Sequence, residues 1–98
     1  MSYKIIWMPK AEATFNTILI YLEQHWGNTA VLNFFDKVEH LLTIISDQPE
    51  LFPKINEEEK IRKCVIVKQV SLFYKIKEHQ VDLIAFWDNR QNPENIEL

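Results

Sequence analysis

The sequence predicts an α+β domain of two layers, in which a helical hairpin packs on one face of a mainly antiparallel β-sheet. Three observations lead to this prediction: a short run of β-forming residues at the start, two long stretches with helical spacing, and three β-rich stretches that follow them. Two consecutive helices in the order β-α-α-β-β-β must cover the same face of the sheet. The length of 98 residues fits a single domain over 1–98.

The first two elements are a strand and a helix. Residues 3–8 are rich in β-forming side chains, and Pro9 suits the first turn of a helix, where its missing N–H costs nothing. An apolar stripe predicted to face the core then continues to Gly27, a typical helix stop. This pattern predicts a helix over about 9–26, with the stripe formed by Phe15, Ile18, Leu19, Leu22 and Trp26.

The second helix begins at once. Asn28 is a good N-cap residue, and Pro49 prevents the helix from extending beyond about residues 46–48. The short link between the helices predicts an antiparallel hairpin. The core-facing stripe consists of Val31, Phe34, Phe35, Val38, Leu41, Leu42 and Ile45.

The second half of the chain predicts a loop over 47–60 and strands at about 61–68, 71–77 and 80–87, with Glu78 and His79 as the last turn. Strict alternation places apolar side chains on both faces of these strands, whereas two helices can cover only one face. We therefore expect four apolar side chains to lie on the face that the helices leave free, where they are exposed to solvent unless something else covers them. Either the C-terminal tail or a partner protein covers them, and a partner is the preferred interpretation. They are Ile66, Phe73, Ile84 and Phe86.

Composition limits the functions to consider. The net charge of −3 argues against general binding to DNA or RNA phosphates. The lone Cys64 and the absence of a signal peptide or a long apolar run favour a cytoplasmic protein that does not contact membranes. The three His residues lack the spacing of metal ligands, and one Gly cannot build a phosphate-binding loop, so we expect no metal and no cofactor.

Local charge differs from the average. The stretch from Lys60 to Lys77 contains six basic residues and no acidic one. These side chains either protect an edge strand from pairing with other proteins or contact an acidic partner.

Several motifs occur in an order and spacing that resemble the RelE/ParE toxin superfamily over nearly the whole chain. The last motif is the most specific, a hydrophobic strand that runs into Arg-Gln-Asn-Pro, as in ParE-like members. The motifs are Trp7, His25-Trp26-Gly27, Pro49 with Leu51-Phe52-Pro53, Ile61-Arg62-Lys63, Leu72-Phe73-Tyr74-Lys75-Ile76, and Phe86-Trp87-Asp88-Asn89-Arg90-Gln91-Asn92-Pro93.

The resemblance implies a toxin that a cognate antitoxin neutralises by wrapping its C-terminal segment around it. ParE-like members poison DNA gyrase without catalysis, whereas RelE-like members cleave mRNA on the ribosome. Of the basic positions typical of the ribonucleases, only two hold a basic residue in this sequence, Arg62 and Arg90. Cys64 and Ser71 stand at two others, and the tail lacks the expected Tyr. The prediction is therefore a gyrase inhibitor, with a ribosome-dependent endoribonuclease using Arg62 and Arg90 as the alternative.

An inactive member that only binds its antitoxin is the second alternative. The residues expected to bind the target or the antitoxin are Arg62, Lys63, Phe73, Lys75, Ile84, Phe86, Arg90 and Asn92.

Overall fold

Six secondary-structure elements follow one another along residues 2–89, the part of the chain that a computed structural model of the protein describes. Their order and bounds confirm the predicted α+β arrangement. The elements are β1 (Lys4–Trp7), α1 (Pro9–Trp26), α2 (Asn28–Asp47), β2 (Arg62–Val67), β3 (Val70–Lys77) and β4 (Gln80–Asp88).

The four strands form one mixed sheet in the order β1-β4-β3-β2. The pairs β2–β3 and β3–β4 are antiparallel, and β1 pairs in parallel with β4, with Ile5 opposite Val81 and Trp7 opposite Leu83. A parallel pair needs a long connection, and here the two helices and the other two strands supply it. The strands β1 and β2 are therefore the two edges of the sheet.

The helical hairpin turns on Gly27. Its N–H donates to the carbonyl oxygens of Leu22 and Glu23, which closes α1, and the next residue already belongs to α2. The φ of Gly27 is +86° with ψ near 180°, a region that only glycine occupies readily. The prediction that Asn28 is the N-cap is wrong by one position: Gly27 takes that place, and no side chain caps the helix.

An aromatic cluster joins α1 to the sheet. The ring centroids of Trp7, Phe15 and Phe86 lie 5.1–5.6 Å from one another, so one residue each from β1, α1 and β4 meets there. The N–H of Phe86 lies beyond the end of β1, and Thr14 Oγ1 accepts it at 2.9 Å. Helix α1 thus satisfies a strand donor that β1 is too short to reach.

An extra residue in β4 changes which side chains face the helices. Tyr74 pairs with Leu83 and Phe73 with Ala85, so Ile84 has no partner on β3 and forms a β-bulge. The alternation shifts by one residue at this point, and the side chain of Phe86 turns into the core, 2% exposed. The prediction that Phe86 faces solvent is therefore wrong.

Two further side chains depart from the expected exposure. Ile66 faces the core with only 2% of its surface exposed, because it shares the helix-covered face of β2 with Cys64. Trp26, predicted to be part of the core-facing stripe of α1, is 71% exposed at the end of the helix.

Candidate binding surface on the open face of the sheet

The helices cover one face of the sheet, and we call the other its open face. Strand alternation places Lys63 of β2 and Lys75 of β3 on this face, and the residue opposite Lys75 on β4 is Asp82. Lys75 is exposed, while Lys63, Asp82 and the bulge residue Ile84 are half-buried. Three residues of the predicted binding set are thus on one surface: Lys63, Lys75 and Ile84.

A cavity of about 780 Å³ opens on this face. Three segments that are far apart in sequence form its walls: the start of α1, the end of the loop before β2, and the central strands. Its lining combines apolar side chains with charges of both signs and consists of Met8, Pro9, Lys10, Glu59, Ile61, Lys75, Asp82 and Ile84.

No ion pair within residues 2–89 neutralises the lysines of this surface. Within residues 2–89, the one ion pair joins Lys54 to Glu57 in the loop, at 3.0 Å. The carboxylate of Asp82 accepts a hydrogen bond from Gln80 Nε2 at 2.7 Å rather than pairing with Lys75. The ammonium groups of Lys10, Lys63 and Lys75 are therefore available to anionic groups of another molecule.

Arg62 points away from this surface. It pairs with Tyr74 across β2 and β3, and both side chains lie on the face that turns towards the helices. The guanidinium Nη1 donates to the carbonyl oxygen of Phe52 at 2.7 Å and of Glu50 at 3.1 Å. Arg62 thus fastens the loop after α2, and the sheet separates it from Lys63 and Lys75.

Phe73 shares the open face but is only 3% exposed. It lies in register between Lys63 and Ala85, and Ala85 is equally buried at 2%. The expectation that Phe73 presents an apolar surface to solvent is therefore wrong. The apolar side chains that line the cavity are Met8, Ile61 and Ile84 instead.

The remaining predicted residues, Arg90 and Asn92, lie outside the described residues 2–89. The strand that leads to them ends at Asp88, and Asn89 is anchored there by hydrogen bonds from its Nδ2 to Ser71 Oγ and to the Lys68 carbonyl oxygen.

Sequence reasoning missed part of this surface. Lys10, Glu59 and Asp82 were not among the predicted residues, although all three line the cavity. Strand alternation could have found Asp82, because it lies two residues before Ile84 on β4. No local pattern marks Lys10 or Glu59, since only the tertiary fold brings a helix start and a loop to this face.

Two buried acidic groups, a thiol and a phenol, have raised pKa values. Burial raises the pKa of the Cys64 thiol to about 11 and that of the Tyr74 hydroxyl to about 12, so both groups stay protonated near neutral pH. Among residues 2–89, no group of three or more His, Cys, Asp or Glu converges in a way that could hold a metal ion. Neither described helix is long and apolar enough to span a membrane.

Comparisons with known proteins bear on the fold. No family model matches the sequence. No curated protein matches it either. Solved structures do. A chain of the chromosomal ParDE toxin–antitoxin system from P. aeruginosa superposes with a TM-score of 0.75 at 12% identity, over 89% of this chain and 96% of that one.

Two more structures have the same fold. The YoeB dimer from Staphylococcus aureus gives a TM-score of 0.65 at 15% identity, over 89% of this chain and 97% of that one. The E. coli DinJ–YafQ toxin–antitoxin complex gives 0.64 at 10% identity, over 92% and 96%. At these identities the comparison shows the fold, and the fold that the resemblance to RelE/ParE toxins implied is confirmed.

Proposed function

We propose that this chain, which has the fold of ParE/RelE-family toxin–antitoxin proteins, is the toxin component of a type II toxin–antitoxin pair. One observation carries the proposal beyond the fold: the open face holds a cavity in which apolar side chains stand beside lysines that form no ion pair within residues 2–89. Such a surface suits an antitoxin segment that combines apolar and acidic residues.

Inhibition of DNA gyrase by binding is the activity that we propose for the free toxin. Arg62, a residue that an endoribonuclease would need beside the scissile phosphate, is held by two loop carbonyls on the other side of the sheet. The open face within residues 2–89 offers lysines without a paired, activated nucleophile, which favours a binding role. Arg90 and Asn92, at the start of the tail, are proposed to extend the contact with the target.

Expression of the chain alone from a tightly controlled promoter tests this function. We expect growth arrest with early DNA breaks while protein synthesis continues. The purified chain should block supercoiling by gyrase. Prompt loss of translation with cleaved mRNA would instead show a ribonuclease, and unchanged growth at good yield would show an inactive, antitoxin-binding member.

Charge reversal tests the surface itself. Lys75→Glu should weaken antitoxin binding by at least about tenfold, because it places a carboxylate where the partner's acidic groups bind. Lys37→Glu, a charge reversal at another exposed lysine, on α2, is the matched control and should bind as the native chain does. Equal losses for both variants would show that net charge, rather than the cavity, governs binding.

Arg90→Ala tests the tail. We expect it to abolish growth arrest while the protein still binds its antitoxin and keeps its stability. Full toxicity of this variant would remove Arg90 from the target contact.

A further inference from the structure

The outer edge of β1 carries backbone groups that no residue within 2–89 satisfies. In the parallel pair, Lys4 and Met8 direct their N–H groups towards β4, so the odd-numbered residues between them direct theirs outward. At Tyr3 both outward groups are satisfied, because its N–H donates to the Ser46 carbonyl oxygen at 2.8 Å and its carbonyl accepts from Ser46 Oγ at 2.7 Å. Farther along the strand, no described residue forms a hydrogen bond with the outward N–H and carbonyl groups of Ile5 and Trp7.

A groove runs beside this edge, between β1 and α2, with a volume of about 360 Å³. Its floor is apolar, formed by Ile5, Trp7 and Leu42, and two exposed carboxylates, Glu39 and Asp47, stand at its rim. Neither carboxylate forms an ion pair within residues 2–89. Trp7 also lines a second hollow, together with Glu12, Phe15 and Asn16, which has a third acidic group.

The opposite edge of the sheet is partly closed. The loop before β2 folds against it: Ile55 N–H donates to the Ile61 carbonyl oxygen, and Lys63 N–H donates to the Pro53 carbonyl oxygen. Lys63 also carries positive charge into that region. The β1 edge, in contrast, combines unpaired backbone groups, an apolar floor and negative charge.

We propose that the β1 edge is a docking site for an extended segment of another protein, which adds as a fifth strand and carries both apolar and basic residues at the alternate positions that face the helices. Main-chain hydrogen bonds to Ile5 and Trp7 supply the pairing, as in other cases of strand addition. Both kinds of side chain lie on the helix-facing side of the added strand, where the apolar ones fill the groove floor and the basic ones reach Glu39 and Asp47 on α2. A second copy of this chain is a poor occupant, because pairing β1 with β1 would bring the carboxylates of both grooves together.

This site lies on a different surface from the open face and carries the opposite charge. It therefore goes beyond the proposed function and does not depend on it. A toxin neutralised through the open face can still recruit a basic segment at the β1 edge, and an inactive chain can do so as well.

Nuclear magnetic resonance provides the test. The ¹⁵N-labelled chain is titrated with a short, acetylated and amidated lysine peptide, in which every second residue is threonine and the positions between are valine and lysine in turn, so that valine and lysine share one face of the strand. It is titrated separately with the glutamate peptide, in which glutamate replaces each lysine. We expect saturable shifts of the Ile5 and Trp7 amide signals with the lysine peptide, and at least about tenfold weaker binding of the glutamate peptide. The double variant Glu39→Lys with Asp47→Lys should reverse this preference.

Proline variants separate the two edges. Ile5→Pro removes an outward N–H and should abolish binding of the lysine peptide. Val65→Pro is the matched control, because alternation from Lys63 directs its N–H outward from β2, and its side chain is 56% exposed. Shifts centred on Val65, equal binding of both peptides, or no shift at any amide would overturn the proposal. The charge variants, which alter only exposed side chains, decide the question if Ile5→Pro fails to fold.

Discussion

Arg62 shows how the position of a single residue decides its role. Its sequence context suggested a cation for catalysis or target binding, whereas its side chain donates to the carbonyl oxygens of Glu50 and Phe52. Hydrogen bonds from a charged donor contribute more than neutral ones, and these two hold the loop between α2 and β2 against the sheet.

We expect Arg62→Ala to lower the free energy of unfolding by about 1–3 kcal/mol, since it removes a charged donor from two loop carbonyls. Urea denaturation measures this loss. Lys63→Ala, the next residue on the opposite face, is the control and should change stability by less than about 0.5 kcal/mol. A stable Arg62→Ala protein that has lost its toxicity would return Arg62 to the functional site.

Two buried acids predict how stability depends on pH. The pKa of the Cys64 thiol is raised from 9.0 to about 11, and that of the Tyr74 hydroxyl from 10.0 to about 12, in both cases by burial. The unfolded chain releases these protons at lower pH than the folded one. Their contribution to stability is therefore complete below pH 9 and is lost as pH rises through 9–12.

The measurement is the urea midpoint at pH 8, 9, 10 and 11. We expect a plateau up to about pH 9 and a steady decline above it. Cys64→Ala should start from a lower stability but show a smaller decline between pH 9 and 10, because only Tyr74 then titrates late. An identical decline in both proteins would mean that the thiol is not the group responsible.

At the scale of single residues, alternation along a strand predicted correctly that Phe73 and Lys75 share one face of the sheet, because the side-chain period of a regular strand is fixed. Alternation could not predict burial, because Phe73 lies on the same face as an exposed lysine and is nevertheless buried, with only 3% of its surface exposed. Nor could it predict Lys10 and Glu59 in the cavity, because these residues meet only through the tertiary fold.

At the scale of elements, the aromatic cluster is the main connection between α1 and the sheet. Phe86→Ala should cost about 3–5 kcal/mol, because it leaves a void between Trp7 and Phe15. Trp26→Ala removes a larger side chain from a site that is 71% exposed and should cost less than about 1 kcal/mol. Thermal unfolding of the two variants checks the contrast, and similar losses would contradict the described packing.

The hairpin of α1 and α2 depends on one backbone conformation. A Cβ atom at Gly27 would meet nothing within 4 Å, so Gly27→Ala introduces no clash, but it forces an L-residue to φ +86°. We expect a loss of about 1–3 kcal/mol from this strain. D-alanine at position 27, introduced by chemical synthesis, should restore stability. Equal losses for both alanines would point to the added methyl group rather than to φ.

Helix and strand bounds were predictable within a few residues, because Pro9, Gly27 and Pro49 mark where helices begin and end. The bulge at Ile84 was not predictable. Bulges are often marked by glycine, and here a β-branched residue with high strand propensity occupies the extra position.

At the scale of the whole molecule, the two layers carry opposite charge. Helices α1 and α2 contain five acidic and two basic residues, whereas residues 62–77 contain five basic residues and no acidic one. The net charge of −3 hides this separation. The sequence shows it only in the stretch from Lys60 to Lys77, where basic residues occur without acidic ones. The strand order β1-β4-β3-β2 was equally hidden, because it depends on which strands meet after the chain folds.

The separation predicts binding to an anionic surface by a protein of net negative charge. At pH 7 and low salt, we expect retention on a cation-exchange resin and elution at moderate ionic strength. Lys63→Glu with Lys75→Glu should abolish retention. The control combines Lys37→Glu with Asn16→Glu and Gln24→Glu at exposed positions of the helices, which changes the net charge by the same amount, and this variant should stay bound to the resin. If both variants flow through, the charge separation has no effect at this scale.

The extra residue at Ile84 shifts the alternation of side chains along β4 by one position. Before Ile84, the odd-numbered residues of β4 face the helices. After Ile84, the even-numbered residues do. Deleting Ile84 would remove the bulge and leave both environments unchanged, with Phe86 towards the helices and Trp87 on the open face, because the pairs on either side of the bulge keep their partners. A change that straightened the strand while keeping every residue would instead exchange the two side chains. Alternation counted along the sequence therefore assigns the wrong face to each residue beyond such an insertion, whereas the strand pairing assigns the right one.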